Sequence, residues 1–68
     1  MSRLKKIANK EFLKLLEDDL EDEYKAIGMY QEHINKIDIP EIKKVLIHIR
    51  DEEQHHVDEL KELINKYS

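Results

Sequence analysis

Apolar residues recur along the chain at the three- and four-residue spacing that is typical of amphipathic helices. The first run consists of Phe12, Leu13, Leu16, Leu20, Ile27, Tyr30, Ile34 and Ile37. The second run consists of Ile42, Val45, Leu46, Ile49, Leu60, Leu63, Ile64 and Tyr67. The pattern predicts an all-α chain with two helices, one over about residues 10–36 and one over about residues 40–66.

The two runs are separated by one break, at residues 38–41. Pro40 suits the first turn of a helix, because the N–H that proline lacks would have no partner there. Asp38 and Glu41 have the spacing of a capping box, so we expect Asp38 to cap the second helix. The break therefore predicts a turn over residues 37–40.

The first helix has two candidate N-terminal caps, Asn9 and Ser2. With Asn9 as the cap the helix begins at residue 10, whereas with Ser2 the residues 2–9 form a helical extension. In both cases residues 1–68 form a single domain, an antiparallel two-helix hairpin. The lone Gly28 falls off the apolar face, where it costs helix stability and can mark a close contact.

A hairpin of this size has too few partners for its apolar surface. Each helix of a stable bundle usually touches two neighbours, and 68 residues without cysteine have neither a large core nor disulfides to compensate. We therefore expect self-association, most simply a two-fold homodimer that forms a four-helix bundle. Leu15, Met29 and Ile47 lie away from the main runs, either as scattered surface residues or as contacts in a larger assembly.

The charge balance excludes several kinds of partner. The chain carries 12 Lys and Arg against 16 Asp and Glu, a formal net charge of −4, which disfavours nucleic acid and anionic membrane surfaces. It contains no apolar run near the ~18 residues of a membrane span, and residues 1–10 lack the apolar stretch of a signal peptide. We therefore expect a cytoplasmic protein with no nucleic-acid and no membrane partner.

Three ionisable residues interrupt the apolar runs when residues are placed at ~100° per step. Glu23 lies near the centre of the first apolar face, and Glu53 and His56 lie near the centre of the second. Glu52 lies at the edge of that face. The remaining histidines face away from the apolar faces of their helices; they are His33, His48 and His55. Because a carboxylate buried without compensation costs several kcal/mol, the interrupting residues need a partner.

The turn brings these three residues to one height. Glu23 precedes Asp38 by 15 residues (38 − 23 = 15) and Glu53 follows it by 15 (53 − 38 = 15), while His56 lies one turn beyond Glu53. A cation would offset the cost of burying them, and two carboxylates with one imidazole suit iron or manganese, with zinc as a competitor. The alternative is a solvated acidic cluster at the edge of a loosely packed hairpin.

These residues resemble half of the ferritin-like di-iron carboxylate motif, in which one helix of a pair supplies Glu and the other Glu-x-x-His. The segment from Glu23 to Tyr30 is similar to the family's Glu-x-x-Ala-x-x-x-Tyr helix, and residues 53–56 supply the second part. Most ferritin-like chains contain the pair twice, whereas this chain contains it once. The stretch from Glu41 to His56 looks like the second helix of the encapsulated ferritins, a single-hairpin branch, and this resemblance covers roughly residues 11–66.

The resemblance implies a ferroxidase that oxidises Fe²⁺ to Fe³⁺ for iron storage or detoxification. Glu23, Glu53 and His56 would be the metal ligands, and two copies of each would hold a di-iron centre at a dimer interface, with Mn or Zn as substitutes. It also implies that dimers associate into rings inside an encapsulin shell. Tyr30 matches a tyrosine beside the centre, in a redox role or as a core aromatic.

One position of the chain departs from that pattern. The family often places acidic residues near the first glutamate as an outer iron site, and the matching positions are Asp22 and Lys25. Asp22, at one of these positions, and Glu52, at the edge of the second apolar face, are secondary candidate ligands. Lys25 argues against the outer iron site. Two other functions are compatible with the residues: a rubrerythrin-like peroxide scavenger with the same ligands, and a metal-free helical oligomerisation module.

Overall fold

The computed structural model describes the backbone of residues 2–68 and the side chains of residues 10–68. It contains two helices, α1 (Ser2–Lys36) and α2 (Pro40–Tyr67), which pack against each other along their length. The contact between Gln31 and Arg50, close to the turn on both helices, shows that they run antiparallel. The predicted all-α two-helix hairpin is therefore confirmed.

The helix boundaries agree with the sequence prediction at three of the four ends. α1 ends at Lys36 as expected, and α2 begins at Pro40 and ends at Tyr67, one residue later than expected. The start of α1 near residue 10 is wrong. The helix begins at Ser2, so the alternative with a helical extension over residues 2–9 is the correct one.

The predicted capping box at the start of α2 does not form. Ile39 occupies the cap position, with φ −90° and ψ 111°, and no side chain caps the helix. A residue before proline is restricted to this extended conformation, which places the cap at Ile39 and leaves Asp38 one residue too early. The first helical hydrogen bond runs from the Lys43 N–H to the Ile39 carbonyl at 3.0 Å.

The contact between the helices, the seam, repeats every seven residues in alternating steps of three and four. The α1 positions of the seam are Leu13, Leu16, Leu20, Glu23, Ile27, Tyr30 and Ile34, and Ile37 continues the spacing just after the helix ends. The α2 positions are Lys43, Leu46, Arg50, Glu53, Val57, Leu60 and Ile64. This spacing is that of an antiparallel coiled-coil pair. Among the side chains described, only Ile34 and Val57 are buried, so the hairpin alone has a minimal core.

Much of the apolar surface of α2 lies beside the seam. Ile42, Ile49, His56 and Leu63 follow one another at intervals of seven residues, and we call this line the apolar stripe. Ile42 and Leu63 are each 42% exposed, although the sequence places the centre of the apolar face at Ile42 and Ile49. The reason is geometric: the hairpin is only 14 × 11 Å across, so a single neighbouring helix covers one side of a broad face.

The opposite edge of the hairpin is closed by polar contacts, and we call it the polar edge. Arg50 Nη1 donates a hydrogen bond of 2.8 Å to Gln31 Oε1. Lys61 Nζ lies 5.9 Å from the ring centroid of Tyr24, within the range of a cation–π contact. Each of these pairs contains one residue of α1 and one of α2, so noncovalent polar contacts hold the two helices together on this side.

Three expectations about the outer surface can be compared with the structure. Leu15 is 60% exposed, Met29 45% and Ile47 37%, so these residues do lie away from the seam. A Cβ added at Gly28 would meet nothing within 4 Å, so the hairpin itself contains no close contact there. Within the described residues neither helix has a segment with the length and apolarity needed to span a membrane.

Candidate metal centre

The side chains of Glu23, Glu53 and His56 converge halfway along the seam. His56 Nδ1 lies 3.5 Å from Glu23 Oε1 and 3.8 Å from Glu53 Oε2. One ligand atom from each residue lies within 4.8 Å of the others. The register argument about Asp38 is therefore correct, since it brings residues from two helices to the same height. We call these three residues the triad.

The triad is shielded unevenly. The Glu23 and Glu53 side chains are 24% and 21% exposed, whereas His56 is 49% exposed. Glu23 Oε2 is buried and has no hydrogen-bond partner. The sequence placed all three residues near the centres of the apolar faces, which is right for the two glutamates and wrong for His56. His56 lies on the apolar stripe, at the boundary between the seam and solvent.

The two carboxylates affect each other strongly. The pKa of Glu23 is raised above its ordinary value of 4.5, first because its side chain shares a hydrogen bond with Glu53. Partial burial and the negative charge of Glu53 raise it further, while the charge of His56 and its hydrogen bond act in the opposite direction. Without a cation, the charged form of Glu23 is therefore less favourable than that of an ordinary glutamate.

The arrangement fits a divalent cation. Ligand atoms bound at about 2.1 Å lie roughly 3.0–3.4 Å from each other in octahedral or tetrahedral geometry, close to the 3.5 and 3.8 Å observed here. Carboxylate oxygens with one imidazole are the donor set preferred by iron, manganese and zinc. Glu23 Oε2, the other oxygen of the same carboxylate, is buried without a hydrogen-bond partner, so a cation bound by this carboxylate would offset the cost of its burial. Three donors leave coordination positions open for further ligands.

The secondary candidates lie outside the triad. Glu52 is an exposed residue that contacts His48 one turn earlier, so it does not face the cluster. Tyr30, half-buried on the seam, makes an edge-to-face contact with the His33 ring at 6.4 Å between centroids. Asp22 does not belong to the triad, but it lines the depression beside it.

That depression was not anticipated from the sequence. It has a volume of about 480 Å³ and opens next to Glu23 and His56. Its other lining residues are Asp19, Asp22, Glu59, Leu60 and Leu63. The spacing of the acidic residues could have indicated this depression. Asp19 precedes Glu23 by four residues and Glu59 follows His56 by three, so each lies one turn from a triad residue.

Comparison with known proteins adds no relative of this chain. No family model, curated protein or solved structure matches it at a significant level. We therefore infer function from the triad and from the surface around it.

Proposed function

We propose that this chain is a ferroxidase, which binds Fe²⁺ at the triad and oxidises it to Fe³⁺. The observation that supports the proposal best is the convergence of Glu23, Glu53 and His56, with a buried carboxylate oxygen that has no partner. A cluster of this kind is costly in so small a core unless a cation occupies it. The resemblance to ferritin-like proteins, stated on the same residues, makes iron the proposed cation.

The proposed working unit is a two-fold homodimer that forms a four-helix bundle. The exposed apolar side chains of α2 support it, because Ile42, Val45 and Leu63 are each at least 42% exposed. His56 belongs to the same stripe, so a second copy packed there would cover it. A two-fold axis would then bring together two triads, with four carboxylates and two imidazoles for two iron ions.

The chemistry requires an oxidant in addition to the protein. Two Fe²⁺ ions supply two electrons, and dioxygen takes up those electrons and two protons to give hydrogen peroxide and two Fe³⁺. Carboxylates are hard anionic ligands and favour the more highly charged product. Glu23 and Glu53 therefore stabilise Fe³⁺ over Fe²⁺, and neutral His56 contributes a nitrogen donor without adding negative charge.

The proposal includes a larger assembly. By its resemblance to encapsulated ferritins the dimer would form rings and reside inside an encapsulin shell in the cytoplasm. Leu15 and Met29, exposed on the outer face of α1, are available for contacts between dimers. This part of the proposal rests on the resemblance and on these exposed residues alone.

An anaerobic titration with Fe²⁺, followed by sedimentation analysis, tests the site and the dimer together. We expect saturation at about one Fe²⁺ per chain, or two per dimer, since each chain supplies half of the ligands. We also expect the metal to shift the protein towards the dimer, because a ligand that binds only the assembled state stabilises it. Absence of saturable binding would contradict the proposal.

Substitutions at the proposed ligand positions and at the positions next to them test which residues bind the metal. Glu53→Ala and His56→Ala should lower the rate of aerobic Fe²⁺ oxidation at least about 100-fold, because loss of even an outer partner of a ligand costs about 10–100-fold. Glu52→Ala and His55→Ala are matched controls, since they remove the same groups one position earlier and outside the triad. Equal rates in the four variants would show that the triad is not the site.

Two outcomes would favour the rival functions. Much faster oxidation by hydrogen peroxide than by dioxygen would indicate a peroxide scavenger that uses the same ligands. If Fe²⁺, Mn²⁺ and Zn²⁺ all leave the melting temperature unchanged, the hairpin is an oligomerisation module without metal chemistry.

A further inference from the structure

We propose that Glu59 is a positioning residue for His56, and that its carboxylate accepts a hydrogen bond from His56 Nε2–H when a cation occupies the triad. This inference rests on the proposed function, since it concerns the bound state. It assigns a role to a residue outside the triad, in the acidic depression that the ligands themselves do not explain.

The two ring nitrogens of His56 have different surroundings. Nδ1 is the nitrogen that lies near Glu23 and Glu53, at 3.5 and 3.8 Å. It is therefore the nitrogen that would bind a cation shared with those carboxylates. An imidazole that ligates through Nδ1 carries its proton on Nε2, on the other side of the ring.

The proton on His56 Nε2 needs a hydrogen-bond acceptor. Histidine ligands almost always donate their second N–H to a carboxylate, a carbonyl or water, which fixes the tautomer and the ring orientation. Among the described side chains His56 Nε2 donates no hydrogen bond in the metal-free state. The acceptor must therefore come from the groups around the half-exposed ring.

Glu59 is positioned to be this acceptor. Glu59 and His56 line the same depression, and a separation of three residues places them on adjacent turns of one helix face. Helical side chains lean towards the N-terminus, so the Glu59 side chain leans back over the turn that carries His56. Glu53, one turn before His56, faces Nδ1, which leaves the Nε2 side of the ring towards Glu59.

Asp19 and Asp22 share the depression but are less suitable acceptors. Both lie on α1, and in an antiparallel hairpin folded about Asp38 the residue opposite His56 is Leu20 (38 − 20 = 18 and 56 − 38 = 18). Their shorter side chains would have to cross from one helix to the other. Glu59 reaches His56 within α2, so its position does not depend on how the helices are spaced.

The test compares Glu59→Met with the matched control Glu62→Met in the full chain. Both variants remove one carboxylate from the exposed surface of α2, but Glu62 does not line the depression that contains His56. Zn²⁺ is the probe because it has no redox chemistry, and its affinity is measured by calorimetry. In about 0.5 M salt the Debye length is about 4 Å, so effects of distant charge are largely screened.

We expect Glu59→Met to weaken Zn²⁺ binding about 10–100-fold and Glu62→Met to leave it unchanged within about twofold. Nitrogen NMR of His56 gives a second measurement. In the Zn²⁺-bound wild type the Nε2 proton should exchange slowly with solvent, and in Glu59→Met it should exchange faster, as in a group that is hydrogen-bonded only to water.

The outcomes separate this inference from the proposed function. If Glu53→Ala abolishes Zn²⁺ binding but Glu59→Met behaves like Glu62→Met, the metal site stands and the role of Glu59 is wrong. The same conclusion follows if Asp19→Asn, and not Glu59→Met, accelerates exchange of the Nε2 proton. If the wild type binds no Zn²⁺ and no Fe²⁺, both the inference and the proposed function fail.

Discussion

Glu23 is the residue at which the demands of folding and of the proposed metal binding conflict most directly. Its side chain is three-quarters buried, one of its oxygens has no partner, and the neighbouring Glu53 carries the same charge. Such a residue lowers the stability of the metal-free chain. Its retention on the seam is understandable if a cation, bound in the working state, removes the repulsion.

The cost of this residue can be measured without any metal. We expect Glu23→Gln to stabilise the metal-free protein by about 0.5–1 kcal/mol at neutral pH, because the substitution removes one of two adjacent like charges. Thermal or urea unfolding in the presence of a chelator measures the difference.

The pH dependence of this difference has a definite sign. Because the pKa of Glu23 is raised in the folded chain, its stabilising contribution is present below the unfolded-state pKa of about 4.5 and is lost as the pH rises through the folded value. The advantage of Glu23→Gln should therefore be small in acid and grow towards neutrality. An advantage that grows as the pH falls would contradict this account.

At the level of the helix, Gly28 is the residue of α1 with the lowest helix propensity. It lies in the interior of a long helix, and a Cβ added there would meet nothing within 4 Å. We expect Gly28→Ala to stabilise the hairpin by about 0.5–1 kcal/mol, because alanine loses less backbone entropy in a helix than glycine does. Unfolding monitored by circular dichroism checks the value.

The same substitution distinguishes a free surface from a contact. Gly28→Ala should leave the sedimentation behaviour unchanged if this position faces solvent in the assembled protein. A stabilised hairpin that no longer assembles would instead show that a second copy approaches α1 closely at Gly28.

The helices and the register were predictable because they depend on local spacing. Residues at equal distances from Asp38 meet in any antiparallel hairpin, so the meeting of Glu23 with Glu53 follows from counting. The cap was missed because Pro40 fixes the conformation of Ile39, a restriction that outweighs the capping tendency of Asp38. Val57, which is the most buried of the side chains of residues 10–68, was also missed, although it lies one turn after Glu53.

The exposure of His56 was harder to predict because it depends on the number of neighbours. Periodicity gives the centre of an apolar face but does not say how much of that face a single helix covers. The hairpin covers the side that contains Glu53 and Val57 and leaves Ile42 largely open. His56 lies between these two sides, so its surroundings would change if a second copy packed against the stripe.

For the whole molecule, the apolar stripe provides the test of dimer formation. We expect Val45→Glu, beside the stripe, to raise the dimer dissociation constant at least about 30-fold, or about 2 kcal/mol, since a two-fold interface carries the buried charge twice. Sedimentation equilibrium with Fe²⁺ under anaerobic conditions measures this constant.

Leu15→Glu is the control for that experiment. Val45 and Leu15 are similarly exposed in the hairpin, at 55% and 60%, but Leu15 lies on the outer face of α1. Its substitution should leave the dimer dissociation constant within about twofold of the wild-type value, apart from a small effect of the added charge. Equal weakening by both substitutions would show that the stripe has no special role in dimer formation.

The polar edge limits how copies of this chain can associate. Arg50 is hydrogen-bonded to Gln31, and Lys61 lies over the ring of Tyr24, so this side of the hairpin presents charged and hydrogen-bonded groups. If hairpins join through the apolar stripe, the polar edge faces outward, and any contact between such pairs would use other surfaces, such as the one that contains Leu15 and Met29. A two-fold pair joined through the stripe would use the same surface of both copies, so growth into an open fibre through that surface would be blocked.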